Sequence, residues 1–136
     1  MSKKQLHLKI ITPERVLVDE NVDAVFSKAV DGNFGVLPDH QPYMTALEIG
    51  FTKYVQGEEE KYITTMGGVF QVSDNNVIIL SDTAEAGQEI DVTRARAAKE
   101  RAEARLKVST DVDHRRAQIA LSRAIARIKV AGKVNK

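Results

Sequence analysis

Six arginines in the C-terminal third of this 136-residue sequence recur with one spacing. The first row is Arg94, Arg101 and Arg105; the second is Arg116, Arg123 and Arg127. A guanidinium carries a permanent charge and a planar fork of donors that matches phosphate or carboxylate oxygens in pairs. Residues spaced i, i+7 and i+11 on a helix turning about 100° per residue fall within an arc of roughly 40°. Each row flanks a small-apolar stripe: Ala95, Ala98, Ala102 and Leu106 beside the first, Ala117, Leu121, Ala124 and Ile128 beside the second. The connecting stretch, Lys107 to Asp113, is short enough to favour antiparallel neighbours. The pattern describes a helical hairpin whose two arginine rows could face one anion. Two amphipathic helices with solvated charged faces would produce the same pattern, so the repeat alone leaves both readings open.

Other chemistries are poorly provided for. No Gly-x-x-x-x-Gly-Lys-Ser/Thr phosphate loop occurs, so nothing marks a self-contained nucleotide hydrolase. His7, His40 and His114 lie far apart without metal-ligand spacing, and no tight Ser-His-Asp or paired-carboxylate cluster stands out. Neither a metal site nor a catalytic residue is expected. The chain has no cysteine, which suits a reducing compartment. Its basic start is followed by no apolar run of signal-peptide length, and nothing approaches the roughly 20 apolar residues of a membrane span. Any membrane link is expected to run through a partner.

The net charge of +1 conceals an asymmetry. Residues 1–90 carry 7 Lys+Arg against 14 Asp+Glu, whereas residues 91–136 carry 13 against 5. An acidic body with a basic tail suggests two modules. The tail has no aromatic residue from Asp91 onward on which a base could stack, so a nucleic-acid partner is not expected.

The elements that must position these groups are of two kinds. Leu6-His7-Leu8-Lys9-Ile10 alternates with the period of a half-buried strand. Short strands are expected over 15–18, 22–30, 43–47, 49–55, 62–66, 69–72 and 77–80, separated by turn chemistry at Gln56-Gly57-Glu58, Gly67-Gly68 and Ser73-Asp74-Asn75-Asn76. Many short strands without a helical period between them favour a β-sandwich, with Leu8, Ile10, Val25, Leu47, Ile63, Val69 and Ile79 in its core. Residues 31–42, with two glycines and two prolines, read as a shaped loop with Asp31 and Asn33 at an exposed tip. Ser81 to Glu89 reads as a linker. Asp91 is placed to cap the first helix, and Asp111 or Asp113 the second. The expected fold is α+β: a β-sandwich over residues 1–87 and an antiparallel two-helix hairpin over 88–136. A stripe made mainly of alanine buries little surface, about 0.8 kcal/mol per methyl-sized group, yet alanine keeps a helix helical. Such helices can change where they dock.

The segment Gly32-x-x-Gly35-Val36-Leu37-Pro38-x-His40-x-Pro42 resembles the signature loop of the epsilon subunit of bacterial F-type ATP synthases. Thr12-Pro13, Gly67-Gly68-x-Phe70 and Ile90-Asp91-x-x-Arg94-Ala95 are similar to that family too, in order over nearly the whole chain. Asp39 stands where many members have glycine, which leaves the local turn geometry open. The resemblance implies a non-catalytic coupling subunit of the rotor of a proton-translocating ATP synthase, peripheral to the cytoplasmic face of the cell membrane. It implies a sandwich set against the gamma subunit and the c-subunit ring, with Asp31, Asn33 and His40 at the rotor interface. It implies a tail that either folds on the sandwich or extends into the alpha/beta catalytic head and inhibits ATP hydrolysis. In the ATP-binding members the folded hairpin takes ATP as a regulatory ligand, with no covalent cofactor. Carried over by motif, that site comprises Ile90, Asp91, Arg94 and Ala95. By position it adds Glu85, Arg101, Arg123 and Arg127, the last two across a one-residue gap in the interhelical linker. A structural coupling subunit that binds no nucleotide stands as the alternative.

Overall fold

Leu6, Leu8 and Ile10 alternate with His7, Lys9 and Ile11, and the first three are fully buried. This strand, β1 (Leu6–Ile11), opens a computed structural model in which residues 4–108 and 111–134 are described. It is followed by β2 (Val16–Val22), β3 (Ala24–Ala29), β4 (Gly32–Val36), β5 (Tyr43–Gln56), β6 (Glu59–Ser73), β7 (Asn76–Leu80) and β8 (Ala84–Ala86). The strands are ordered β2-β1-β7-β6-β5-β3-β4, with β8 also on β6. The β1–β7 pair is parallel and the other pairs are antiparallel. The two layers of the sandwich enclose Phe70, Leu6, Leu8, Ile10, Val77 and Ile79. A short ladder of buried hydroxyls, Ser27 to Thr52 at 2.7 Å and Thr52 to Thr65 at 3.2 Å, satisfies the polar groups among them.

Four sequence expectations need correction. The segments 43–47 and 49–55 form one strand, β5, and 62–66 with 69–72 form one strand, β6. Gly67-Gly68 is therefore not a turn between strands but a bend within β6. It lies where one edge of β6 changes partner, from β8 at Ile63–Thr65 to β7 at Val69–Ser73. Both glycines have positive φ, and a Cβ on Gly68 would run into the Leu80 carbonyl oxygen. The segment 31–42 is not all loop, because β4 occupies Gly32–Val36. Glycine disfavours strands, but Gly35 stands opposite Phe26, whose ring lies across it; a Cβ there would come within 2.6 Å of that ring. The 81–89 linker is likewise ordered, as β8 and a 3-10 turn, Gly87–Glu89. Finally, Val69 is 39% exposed, because it points outward while its neighbour Phe70 points into the core.

The tail forms α1 (Val92–Val108) and α2 (Asp111–Val134). α2 rests on β5, β6 and the 3-10 turn, and α1 packs on α2. A second small apolar cluster fastens the C-terminal end of α2. Ile90, Val130 and Ala131 are buried there against Phe51, Tyr62 and Val92. Residues 109–110 of the interhelical connection, and the expected cap at Asp111, lie outside the described residues and side chains. Asp113 is exposed within the first turn of α2.

Candidate functional site

The seam between the helices is made of alanine. Ala95 and Ala102 of α1 and Ala117 and Ala124 of α2 are all buried. Ala95 lies thirteen residues before Val108 and Ala124 thirteen residues after Asp111, so at about 1.5 Å per residue the two are level across the hairpin. Ala102 and Ala117 are level in the same way, six residues from each helix end. Side chains this small let two helices approach closely.

This seam sets the direction of the arginines. Arg94, Arg101, Arg116 and Arg123 each immediately precede a seam alanine, about 100° round the helix from it. In an antiparallel pair, equal offsets from the seam point to the same side, because reversing one axis reverses its sense of rotation. The four guanidinium groups therefore occupy one side of the hairpin, and all four residues are exposed. Arg127 follows Ala124 by three residues and falls within about 60° of the seam on that same side.

The hinge between sandwich and hairpin, residues 84–91, closes the lower end of this face, the end away from the interhelical connection. Asp91 caps α1 as expected: its Oδ1 accepts from the Arg94 backbone N–H at 3.1 Å, and its carbonyl accepts from the Ala95 N–H at 3.0 Å. Ile90 is the buried anchor of the cap. Glu85 is presented by β8, where its N–H donates to Thr64 Oγ1 at 2.9 Å. Its carboxylate accepts from Arg127 Nε at 2.6 Å, and both side chains are largely shielded, at 27% and 30% exposure. Of the eight positions, Glu85 and Arg127 touch directly, Asp91 holds the backbone of Arg94, and Ala95 belongs to the seam. Arg94 and Arg123 share a side at similar height, with Arg101 one heptad farther toward the connection. A guanidinium-lined face with a helix N-terminus at one end is chemically suited to a polyanion.

Asp31, Asn33 and His40 are not gathered into one patch. Asp31 and Asn33 belong to the β3–β4 end, whereas His40 follows the far end of β4. There His40 Nδ1–H donates to the Gln41 carbonyl at 2.6 Å. Asp39 takes a left-handed conformation, φ 68, which explains how it can occupy a glycine-like position. Its N–H donates to Asn75 Oδ1 at 2.6 Å, and Lys4 Nζ donates to its carboxylate at 2.7 Å. Lys4 holds the Asp39 carboxyl below its ordinary value, helped by Asn75.

Two features had no signal in the sequence. Arg15 Nη2 donates to Glu89 Oε2 at 2.6 Å, tying the hinge to the β1–β2 turn across 74 residues. An apolar row also crosses the outer face of the sheet, since Ala46, Val69, Leu80, Ile11 and Val16 are successive cross-strand partners. Val16, Val69 and Leu80 are exposed in it, and Met44 in the adjoining row is 64% exposed.

Residues 5–87 match the family described as "ATP synthase, Delta/Epsilon chain, beta-sandwich domain". Residues 88–132 match "ATP synthase, Delta/Epsilon chain, long alpha-helix domain". Over 106 residues the chain is 50% identical to a protein named ATP synthase epsilon chain from Anaeromyxobacter sp. (strain K), covering 78% of this chain and 80% of that one. Over 104 residues it is 46% identical to a protein of the same name from Nitratidesulfovibrio vulgaris (strain DP4), covering 76% and 78%. The fold is shared with a chain of the Euglena gracilis mitochondrial ATP synthase at a TM-score of 0.83 and 24% identity, covering 93% of this chain and 81% of that one.

Proposed function

This chain belongs to the ATP synthase delta/epsilon family, and on that premise we propose that its helical tail senses ATP and restrains ATP hydrolysis. It is an epsilon subunit of the rotor stalk, without catalytic activity of its own. The observation that carries the proposal is the common side of Arg94 and Arg123, closed at its lower end by the Glu85–Arg127 contact. Arg94, Arg101 and Arg123 are the phosphate ligands, and the N-terminus of α1 at Asp91 adds a partial positive charge. Glu85 and the backbone around Ile90–Asp91 supply acceptors for an adenine amine. ATP as a regulatory ligand favours the hairpin folded on the sandwich, because it binds residues of both helices and the hinge. The alanine seam lets that balance shift by modest differential binding.

The sandwich docks on the rotor, against the gamma subunit and the c-subunit ring, and the exposed apolar row from Val16 to Ala46 supports a protein partner on that face. The extended tail meets the alpha/beta catalytic head. The subunit is held peripherally at the cytoplasmic face of the membrane through the complex. No described helix is long and apolar enough to cross a membrane.

Isothermal titration of the isolated chain with ATP tests the sensing role. One bound ATP per chain, lost on replacing Arg94, supports it. Absence of binding by the wild-type chain would leave the structural coupling role in its place.

A further inference from the structure

A groove of about 890 Å³ runs between the sandwich and α2, within the roughly 300–1,000 Å³ usual for small-molecule sites. Phe26, Phe34, Phe51 and Tyr62 form its aromatic side. Phe26 is fixed there by the bare Gly35 beneath its ring. Lysines rise on both walls, Lys28 and Lys53 from the sandwich and Lys129 and Lys133 from α2. Among the described residues, neither Asp nor Glu lines the groove. Lys53 reaches Glu60 at 3.0 Å and Lys28 lies 3.8 Å from Glu48, both carboxylates standing outside the lining. Lys129 has no described ion pair, and Lys133 sits over the Tyr62 ring, 5.5 Å from its centroid. The groove is thus walled by rings and left with cationic charge that no lining residue neutralises.

We propose that this groove binds a small aromatic anion, a planar ring system bearing a phosphate, sulfonate or carboxylate, and that it does so only while the hairpin is docked. The rings stack on Phe51 and Tyr62, and the acid group meets Lys129 and Lys133. Both walls are needed, so the ligand holds α2 against the sandwich. The site is separate from the arginine face, since Lys129 lies about 120° round α2 from Arg123.

Titrating the full-length chain with 8-anilinonaphthalene-1-sulfonate, followed by its fluorescence, tests this. Saturable one-to-one binding is expected, weakened about tenfold in a Lys129→Gln/Lys133→Gln double variant with unchanged circular dichroism. Lys107→Gln, which removes a charge near the far end of the hairpin, should bind as wild type. Uncharged 1-anilinonaphthalene should show no dependence on the two lysines. Equal binding by the double and wild-type chains would place the probe on the exposed apolar row of the sheet and overturn the proposal. So would absence of saturation, or a loss in Arg94→Ala as large as in the lysine variant, which would assign the probe to the arginine face.

Discussion

Arg127 Nε donates to Glu85 Oε1 at 2.6 Å, joining α2 to the last strand of the sandwich across 42 residues of sequence. A partly exposed pair of this kind contributes on the order of 0.2–1 kcal/mol. Arg127→Ala and Glu85→Ala should each lower stability slightly, and the double variant should lose less than the sum of the two. Chemical denaturation of the four chains measures the coupling. Strict additivity would mean that the contact contributes nothing in solution.

Arg94 and Arg123 are expected to act on one ligand from the two helices. Charge-assisted hydrogen bonds contribute about 1.5–3 kcal/mol, so Arg94→Ala or Arg123→Ala should weaken ATP binding roughly tenfold or more. Arg96 lies about 200° round α1 from Arg94, and Arg96→Ala removes the same charge from another face. Calorimetric titration showing equal damage from Arg96→Ala would reduce the effect to bulk charge.

Removing residues 88–136 should leave a folded sandwich, because β8 at Ala84–Ala86 already completes the pairing of β6. The truncated chain should melt cooperatively with a β-type circular dichroism spectrum. It should be less stable than the parent, since Phe51 and Tyr62 lose their cover from Val130 and Ala131. A broad, non-cooperative melt would make the hairpin part of the folding unit.

Gly68→Ala is expected to cost about 2–3 kcal/mol, as it adds a Cβ against the Leu80 carbonyl in a backbone conformation hostile to side chains. Gly57→Ala, also at positive φ but with open space around it, should cost only about 1 kcal/mol. Denaturation midpoints that do not separate the two would contradict the close approach of β6 and β7.

The His7 ring is held by Asn21 Oδ1 at 2.8 Å and Asp19 Oδ1 at 2.5 Å, so both nitrogens donate and the imidazolium is favoured. The Asn21 bond, then the Asp19 bond, raises its pKa above the ordinary 6.5. A raised folded-state value means that its contribution is fully present below the unfolded pKa and is lost as pH rises through the folded one. The melting temperature should therefore fall as pH climbs above about 6.5, and His7→Gln should flatten that slope. An unchanged slope in the variant would show that the ring does not drive it. The effect should be small, because the ring is exposed.

The local periods of this chain are written along it. Leu6, Leu8 and Ile10 alternate because a strand turns each successive side chain to the opposite face. The arginine and alanine rows recur because a helix returns to one face after seven residues. Asp91 is legible as a cap because its partner is only three residues away. The antiparallel hairpin and its common arginine side follow from those periods and a short connection.

The rest depends on contacts between distant segments. Gly35 can continue a strand because the Phe26 ring covers it, and Gly67-Gly68 can bend inside β6 because the Leu80 carbonyl passes against the bare Gly68. Neither neighbour is close in sequence, so glycine by itself reads as a break. Val69 and Phe70 are both apolar, and only the direction of the pleat against β7 puts one outside and the other in the core. The pairing of Glu85 with Arg127 and the ring-and-lysine groove exist because α2 lies across β5 and β6. That docking rests on a few buried side chains around Ile90 and Val130, and no periodicity within a single segment encodes it.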